Sequence, residues 1–292
     1  MIDLIIPTLS QGLLWSLLAL GVYITFRVLD FADMTVEGSF PLGAAICVYF
    51  LIRDHHPLLA LLAAGLLGGV AGIVTGLLHT KLRIPSLLAG ILSMIAIYSV
   101  NLRIMGKANV SLLGKETAFT YMETLGLDYA QSVFIVGLLA TVVIGTLIYW
   151  FFGTEIGAAI RATGFNPQMI RAQGIDTNVM LLLGLFLSNA LTAMAGAFIG
   201  MNNGFFDVGM GVGTIVIGLA SVIIGEVLFG TRSFKNSLVS VILGSIVYRF
   251  VIAIVLQMGM PPNDLKLFTS VLVVIALALP MMRDKVQRRK VG

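Results

Sequence analysis

Long apolar runs separated by short polar breaks dominate this chain, and a membrane span needs roughly 20 mostly apolar residues. About nine runs approach that length: residues 4–26, 36–52, 58–79, 84–105, 131–152, 179–200, 214–230, 237–257 and 267–282. The apolar residues are continuous within each run and do not alternate, which predicts helices and not a barrel. The pattern therefore predicts an all-α, polytopic transmembrane bundle of about 8–10 spans. The runs starting at Val36 and Thr214 sit near the lower length limit, so either could be a broken or re-entrant helix. No linker, low-complexity tract or soluble module interrupts the series, and residues 1–292 read as one membrane domain.

One polar island stands out, residues 153–178, reading GTEIGAAIRATGFNPQMIRAQGIDTN. Ile156, Ala159 and Ile160 fall at i, i+3 and i+4, the spacing of one helix face. Gly164-Phe165-Asn166-Pro167 breaks that helix, because proline cannot continue it. Asn166 is a good N-cap and Pro167 suits a first helical position, so a second short helix should begin there. Gly174 then reads as a helix C-terminus, with Asp176 and Thr177 capping the next span. Two short amphipathic helices between spans can rest on lipid, or they can form a knob that docks into a partner protein.

Composition agrees with the run pattern: 58% of residues are hydrophobic and 11% charged, with a mean hydropathy of +1.02. Soluble domains carry about 25% charged residues. The first run opens with Met1-Ile2-Asp3, lacks a basic leader and is longer than a signal-peptide core, so we expect it to be a retained span. The single cysteine, Cys47, excludes a disulfide framework or a cysteine metal site within the chain. The basic balance, pI about 9.3, comes from loop residues and reports orientation before any nucleic-acid partner. Lys81, Arg83, the island, Arg232, Lys235 and the tail Arg283, Lys285, Arg288, Arg289 and Lys290 can all face the cytoplasm together. That places the C-terminus inside and residues 107–130 outside.

Pattern identity within the island goes further. Gly157 to Asp176, GAAIRATGFNPQMIRAQGID, resembles the cytoplasmic coupling segment of permease subunits in the branched-chain amino acid and ribose group of bacterial ATP-binding-cassette importers. Arg161, Gly164, Asn166, Pro167, Gly174 and Ile175 match together at that family's spacing. Asp33-Met34-Thr35-Val36-Glu37-Gly38 is similar to a motif these permeases carry near their second span, where sugar-transporting members have Leu-Ser-Val-Gly after the aspartate. The inserted Glu37 departs from the sugar pattern. Residues 97–106 and Asn202-Asn203-Gly204 resemble a branch associated with amino acid uptake, tryptophan and tyrosine among the substrates.

The resemblance implies a permease in a bacterial cytoplasmic membrane that pairs with a second copy of itself. It implies two separate ATPase subunits, which would bind ATP and magnesium, and an extracellular substrate-binding protein. This chain would hold no cofactor of its own and bind no nucleic acid. Its contacts with the ATPase would come from Arg161, Thr163, Gly164, Asn166, Pro167, Arg171, Gly174 and Asp176. Thr35, Glu37, Asn101, Asn189, Asn202, Asn203 and Arg249 are the candidates for lining the path. Permeases for a sugar or a nucleoside are the alternatives within the family.

Two polar features inside apolar runs also need partners, since an ionised group at the bilayer centre costs at least ~2.5 kcal/mol. Glu226 is expected to meet Arg232, whereas Arg249 has either a buried pairing role or a contact with a carboxylate substrate or a second subunit. Residues 31–38 and 206–213 echo each other, a phenylalanine and an aspartate followed by a glycine-containing stretch that opens a short apolar run. Such echoes accompany interrupted helices in inverted-repeat transporters. They also leave open an ion-coupled transporter using Asp33, Glu37 or Glu226, and a non-transporting scaffold is a third class. Enzyme signals fail: there is no phosphate loop, no His-Glu-x-x-His spacing, and Gly209-Met210-Gly211-Val212-Gly213 lacks the strand–helix context of a dinucleotide site.

Overall fold

The computed structural model describes residues 2–261, 264, 265, 267–271, 273 and 274. Its helices are α1 (Ile2–Tyr23), α2 (Val36–Ile52), α3 (Pro57–Thr80), α4 (Ser86–Met105), α5 (Ala118–Glu123), α6 (Tyr129–Gly153), α7 (Glu155–Phe165), α8 (Pro167–Ala172), α9 (Thr177–Asn203), α10 (Thr214–Phe229) and α11 (Phe234–Gln257). Two three-residue strands, β1 (Asn109–Ser111) and β2 (Phe205–Asp207), pair antiparallel with Val110 opposite Phe206. Among the described residues seven segments are long and apolar enough to cross a membrane. The chain is thus a multi-pass membrane protein. The expected ninth run and the basic tail lie mostly outside the described residues.

Both runs expected to be short or broken are so. α2 has 17 residues, about 25 Å of helix, and it is buried on nearly every side. α10 is preceded by a 3-10 turn, Val208–Gly211, and only with that turn does it reach spanning length, as Val208–Phe229. α1 ends in a π-helical turn, Ile24–Val28.

Helix packing in lipid has no hydrophobic drive of its own, so backbones approach through small residues. A Cβ on Gly43 of α2 would overlap the Ala193 carbonyl of α9, and one on Gly196 of α9 would overlap the Phe40 carbonyl of α2. The glycines of α3 do the same work against α9, with Gly72 on the Leu185 carbonyl and Gly68 on Ala193. α9 is accordingly the central post of the bundle, clasped by α1, α2 and α3. Leu59, Leu66, Val70 and Val74 of α3 and Leu139, Val142 and Leu147 of α6 remain exposed, as the lipid-facing side of such a bundle requires.

Chain direction gives the bundle two ends. At one end lie the β1–β2 ribbon and the end of α2, where Lys115 donates to the Ile52 carbonyl at 3.1 Å and to Asp54 at 2.8 Å. At the other lie α7, α8 and the α10–α11 connection, where Arg161 sits 5.1 Å from the Phe234 ring centre.

Candidate functional site

The island folds as its residues dictate. Thr154 caps α7, accepting from the Gly157 amide at 3.3 Å. Asn166 ends that helix and caps the next, accepting from the Met169 amide at 3.0 Å, with Pro167 at the first helical position. Gly174, at φ +85°, takes the left-handed turn after α8, and Asp176 caps α9 through the Asn178 amide at 2.8 Å. Arg171 donates from Nε to the Thr177 hydroxyl at 2.7 Å, holding α8 to the start of α9.

The expected contact residues divide between two faces. Thr163 is buried, Arg161 lies on Phe234, and a Cβ on Gly164 would overlap the Val28 carbonyl in the π-turn. Those three hold α7 onto the bundle. Asn166, Pro167, Arg171, Gly174 and Asp176 are exposed. Beside them Phe165, absent from the expected set, is 91% exposed at the break between the two helices.

From the π-turn the chain leads within five residues to a buried polar cluster. The Asp33 carboxylate accepts from the Thr35 amide at 2.9 Å and from the Asn189 side chain at 2.8 Å. Ser39 donates to the Asn189 carbonyl oxygen at 2.6 Å. The hydroxyls of Thr35 and Thr75 lie 2.7 Å apart, and Thr75 donates to Ser93 at 2.7 Å. Asp33, Thr35, Ser39, Thr75 and Asn189 are all fully buried. Hydrogen bonding of this completeness is what lets an acid sit inside an apolar bundle.

One turn further along α2, Glu37 accepts from the Gly213 amide at 3.0 Å, while Gly211 rests against the Glu37 carbonyl. The echoed segments therefore meet. They also share a turn, since Asp207 accepts from the Gly209 amide at 2.7 Å as Asp33 does from Thr35. From this meeting point α2 runs toward the ribbon end and α10 toward the α7–α8 end. Two short helices whose positive N-terminal ends converge inside a bundle are a recurrent way to build a binding region at mid-membrane.

A cleft of about 460 Å³ opens at that junction, lined by Glu37, Gly38, Pro41, Met94, Ile95, Tyr98, Ser99, Asn101, Val208, Gly209 and Val212. Its walls are apolar and aromatic. Its polar groups are Glu37, Ser99 and Asn101, whose buried side-chain oxygen has no hydrogen-bond partner. Of the candidate path residues, Thr35, Glu37, Asn101 and Asn189 come together around the start of α2. Asn203 and Arg249 line a different cleft between α1, α9 and α11. Asn202 contributes its backbone carbonyl to the Tyr129 hydroxyl, at 3.1 Å. The expected Glu226–Arg232 contact is replaced by an ion pair of Glu226 with Arg27, because the π-turn carries Arg27 up to α10. Among the described residues no group of three or more His, Cys, Asp or Glu is placed to hold a metal ion.

The chain matches the family described as branched-chain amino acid transport system, permease component, over residues 4–278. It is 40% identical to a tyrosine transport system permease protein of Clostridioides difficile over 274 residues, covering 94% of this chain and 90% of that protein. It is 31% identical to an uncharacterized protein of Rickettsia prowazekii, covering 97% and 99% of the two chains. The autoinducer 2 import system permease protein LsrC of Escherichia coli is 24% identical, over 75% of this chain and 62% of its own length. No solved structure matches.

Proposed function

This chain belongs to the branched-chain amino acid transport system permease family, the membrane subunits of ATP-binding-cassette importers, and is not an enzyme; on that premise we propose that it carries an aromatic amino acid, tyrosine foremost, across the bacterial cytoplasmic membrane. The aromatic substrate is supported by the identity to the tyrosine permease and by the cleft chemistry. Tyr98, Met94 and Val212 offer walls for a ring, Glu37 an acceptor for an ammonium, and Asn101 an amide for a polar group.

Two copies of a separate ATPase bind ATP with magnesium and dock at the α7–α8 turn, which lies on the cytoplasmic side with the C-terminus. A second copy of this chain closes the cleft against α4, whose Ile95 and Tyr98 are exposed. A binding protein delivers substrate at the ribbon end. Thr35, Glu37, Asn101 and Asn189 belong to the path or its frame.

The observation that carries the reading is the continuous connection from knob to cleft. Phe165, Asn166 and Pro167 are presented outward, and Gly164 next to them abuts Val28 of the π-turn. That turn leads to Asp33, and Asp33 with Thr35 anchors the start of α2 beside the cleft. Displacing α7 displaces the turn, and with it one wall of the path. Glycine at 164 permits backbone-to-backbone contact, so little motion is lost in side-chain play.

Affinity purification of the full chain from its native membrane tests this directly. A bound ATPase with vanadate-sensitive activity, released by the Asn166→Ala, Pro167→Ala pair, and tyrosine uptake by the reconstituted complex are expected. A chain that purifies alone and drives gradient-dependent uptake would overturn the reading.

A further inference from the structure

The second cleft, about 370 Å³ between α1, α9 and α11, is lined by Thr8, Gln11, Trp15, Asn203, Arg249 and Leu256 among others. It shares no lining residue with the cleft at α2 and α4. Arg249 is its one cation. The guanidinium carbon sits 3.9 Å from the centre of the Trp15 ring, and Nε is buried without a hydrogen-bond partner. Among the described residues no carboxylate pairs with Arg249; the ion pairs there are Arg27–Glu226 and Lys115–Asp54.

An arginine inside an apolar bundle without an acid is a large uncompensated cost, and stacking on Trp15 offsets only part of it. The uncharged polar lining includes the side-chain amides of Asn203 and of Gln11, whose oxygen accepts from the Trp15 indole at 3.3 Å. The remaining walls are apolar and continue outward. Leu256 lines the cleft and is 39% exposed, Ile254 is 52% exposed, and Ile5 and Ile6, just before Thr8, are 43% and 37% exposed. These are exposed apolar positions near the ribbon end of α1 and α11. Arg249 itself is eight residues, about 12 Å of helix, from the end of α11.

A cation with neighbouring donors, roofed by apolar walls that run onto the lipid-facing surface, fits a head group joined to an acyl chain better than a free solute. We propose that this cleft binds the phosphate of an anionic membrane lipid, taken from the leaflet at the ribbon end of the bundle, with Arg249 as its counter-ion. A net-negative head group is selected because among the described lining residues Arg249 is the only charge and no acid repels an anion. Bound there, the lipid bridges α1, α9 and α11 and gives the buried guanidinium a counter-charge.

Trp15 is the reporter. The chain has two tryptophans, and Trp150 is 69% exposed, so Trp150→Phe leaves a signal confined to the cleft. Full-length protein is titrated with dibrominated phosphatidylglycerol or dibrominated phosphatidylcholine, each diluted in unbrominated carrier lipid. Saturable quenching is expected at a several-fold lower mole fraction of phosphatidylglycerol. Arg249→Gln should bring the two curves together, and Arg249→Lys should keep part of the gap. Millimolar tyrosine or inorganic phosphate should leave the phosphatidylglycerol curve in place. Superimposed curves in the parent protein, or an undiminished gap in Arg249→Gln, overturn the proposal. Displacement by tyrosine or by inorganic phosphate overturns it too, in favour of a site for free anions. Should Arg249→Gln fail to fold, Asn203→Asp sets a carboxylate into the same cleft from an exposed position. Its loss of phosphatidylglycerol preference supports the assignment, and an unchanged preference refutes it.

Discussion

The Asn189 side chain donates to the Asp33 carboxylate at 2.8 Å, tying the middle of α9 to the turn from which α2 starts. Its carbonyl oxygen accepts from Ser39 at 2.6 Å, so one amide satisfies two elements of the bundle. Asn189→Leu removes both bonds and leaves a buried acid short of a donor. A loss of roughly 1–3 kcal/mol is expected, the cost of leaving a buried polar group without a partner. Ser39→Ala, which removes one neutral bond, should cost about 1 kcal/mol. Thermal unfolding of the purified protein ranks the two variants, and equal midpoints for Asn189→Leu and the parent would refute the structural role of the pair.

Close backbone contact between α2 and α9 depends on the absence of side chains at two positions. Gly43→Val and Gly196→Val should abolish recovery of monodisperse protein by size-exclusion chromatography, because each added Cβ meets a carbonyl oxygen. Gly145→Ala, whose nearest neighbour would be Ile242 at 3.7 Å, should behave like the parent.

The α7–α8 turn offers a separation of docking from folding. Phe165→Ser changes an exposed ring and should leave abundance and thermal stability within about 0.5 kcal/mol of the parent. It should nonetheless remove most of the co-purifying ATPase and of the uptake. Full retention of the ATPase by this variant would count against docking at Phe165. Gly164→Ala pushes α7 off the π-turn; there the ATPase should still bind while uptake falls.

Filling the cleft at α2 and α4 tests the path. Val212 is 65% exposed and lines that cleft, so Val212→Trp can occupy it without disturbing buried packing. Uptake should drop at least tenfold while ATPase binding persists. Unchanged uptake would move the path elsewhere.

Glu226 distinguishes an ATP-driven permease from an ion-coupled one. Its partner Arg27 is half exposed while the Glu226 side chain is only 14% accessible, and a glutamine there can still accept a hydrogen bond from Arg27. Glu226→Gln should therefore retain uptake and nearly all stability. Loss of transport with intact assembly would favour a coupling role for the acid.

Helix positions were readable from the order of residues to within a few positions, because continuous apolar runs of spanning length have few alternatives in lipid. α2 matches its predicted run, 36–52. The rest of the island was equally legible, since Asn166, Pro167, Gly174 and Asp176 act within one turn of themselves through caps and a left-handed residue, while the Thr154 cap emerged only in the structure. Apart from Thr35, the small hydroxyl residues of the buried cluster carried no such signal. Thr75 and Ser93 sit in runs indistinguishable from their lipid-facing neighbours, and their pairing spans 18 residues.

What the order of amino acids determined by itself was local: which segments are apolar enough to cross, where helices start and stop, and that the family motif sits between two spans. Tertiary structure alone decided which residues share a site. It joined the two echoed segments at Glu37 and Gly213, gave Glu226 to Arg27 and not Arg232, and set Arg249 apart from Asn101 and Glu37. Those outcomes depend on how α9 packs against α1, α2 and α3 through glycine contacts. Glycines recurring every four residues, as at Gly68, Gly72 and Gly76, mark a face for close packing but do not say which distant helix it meets.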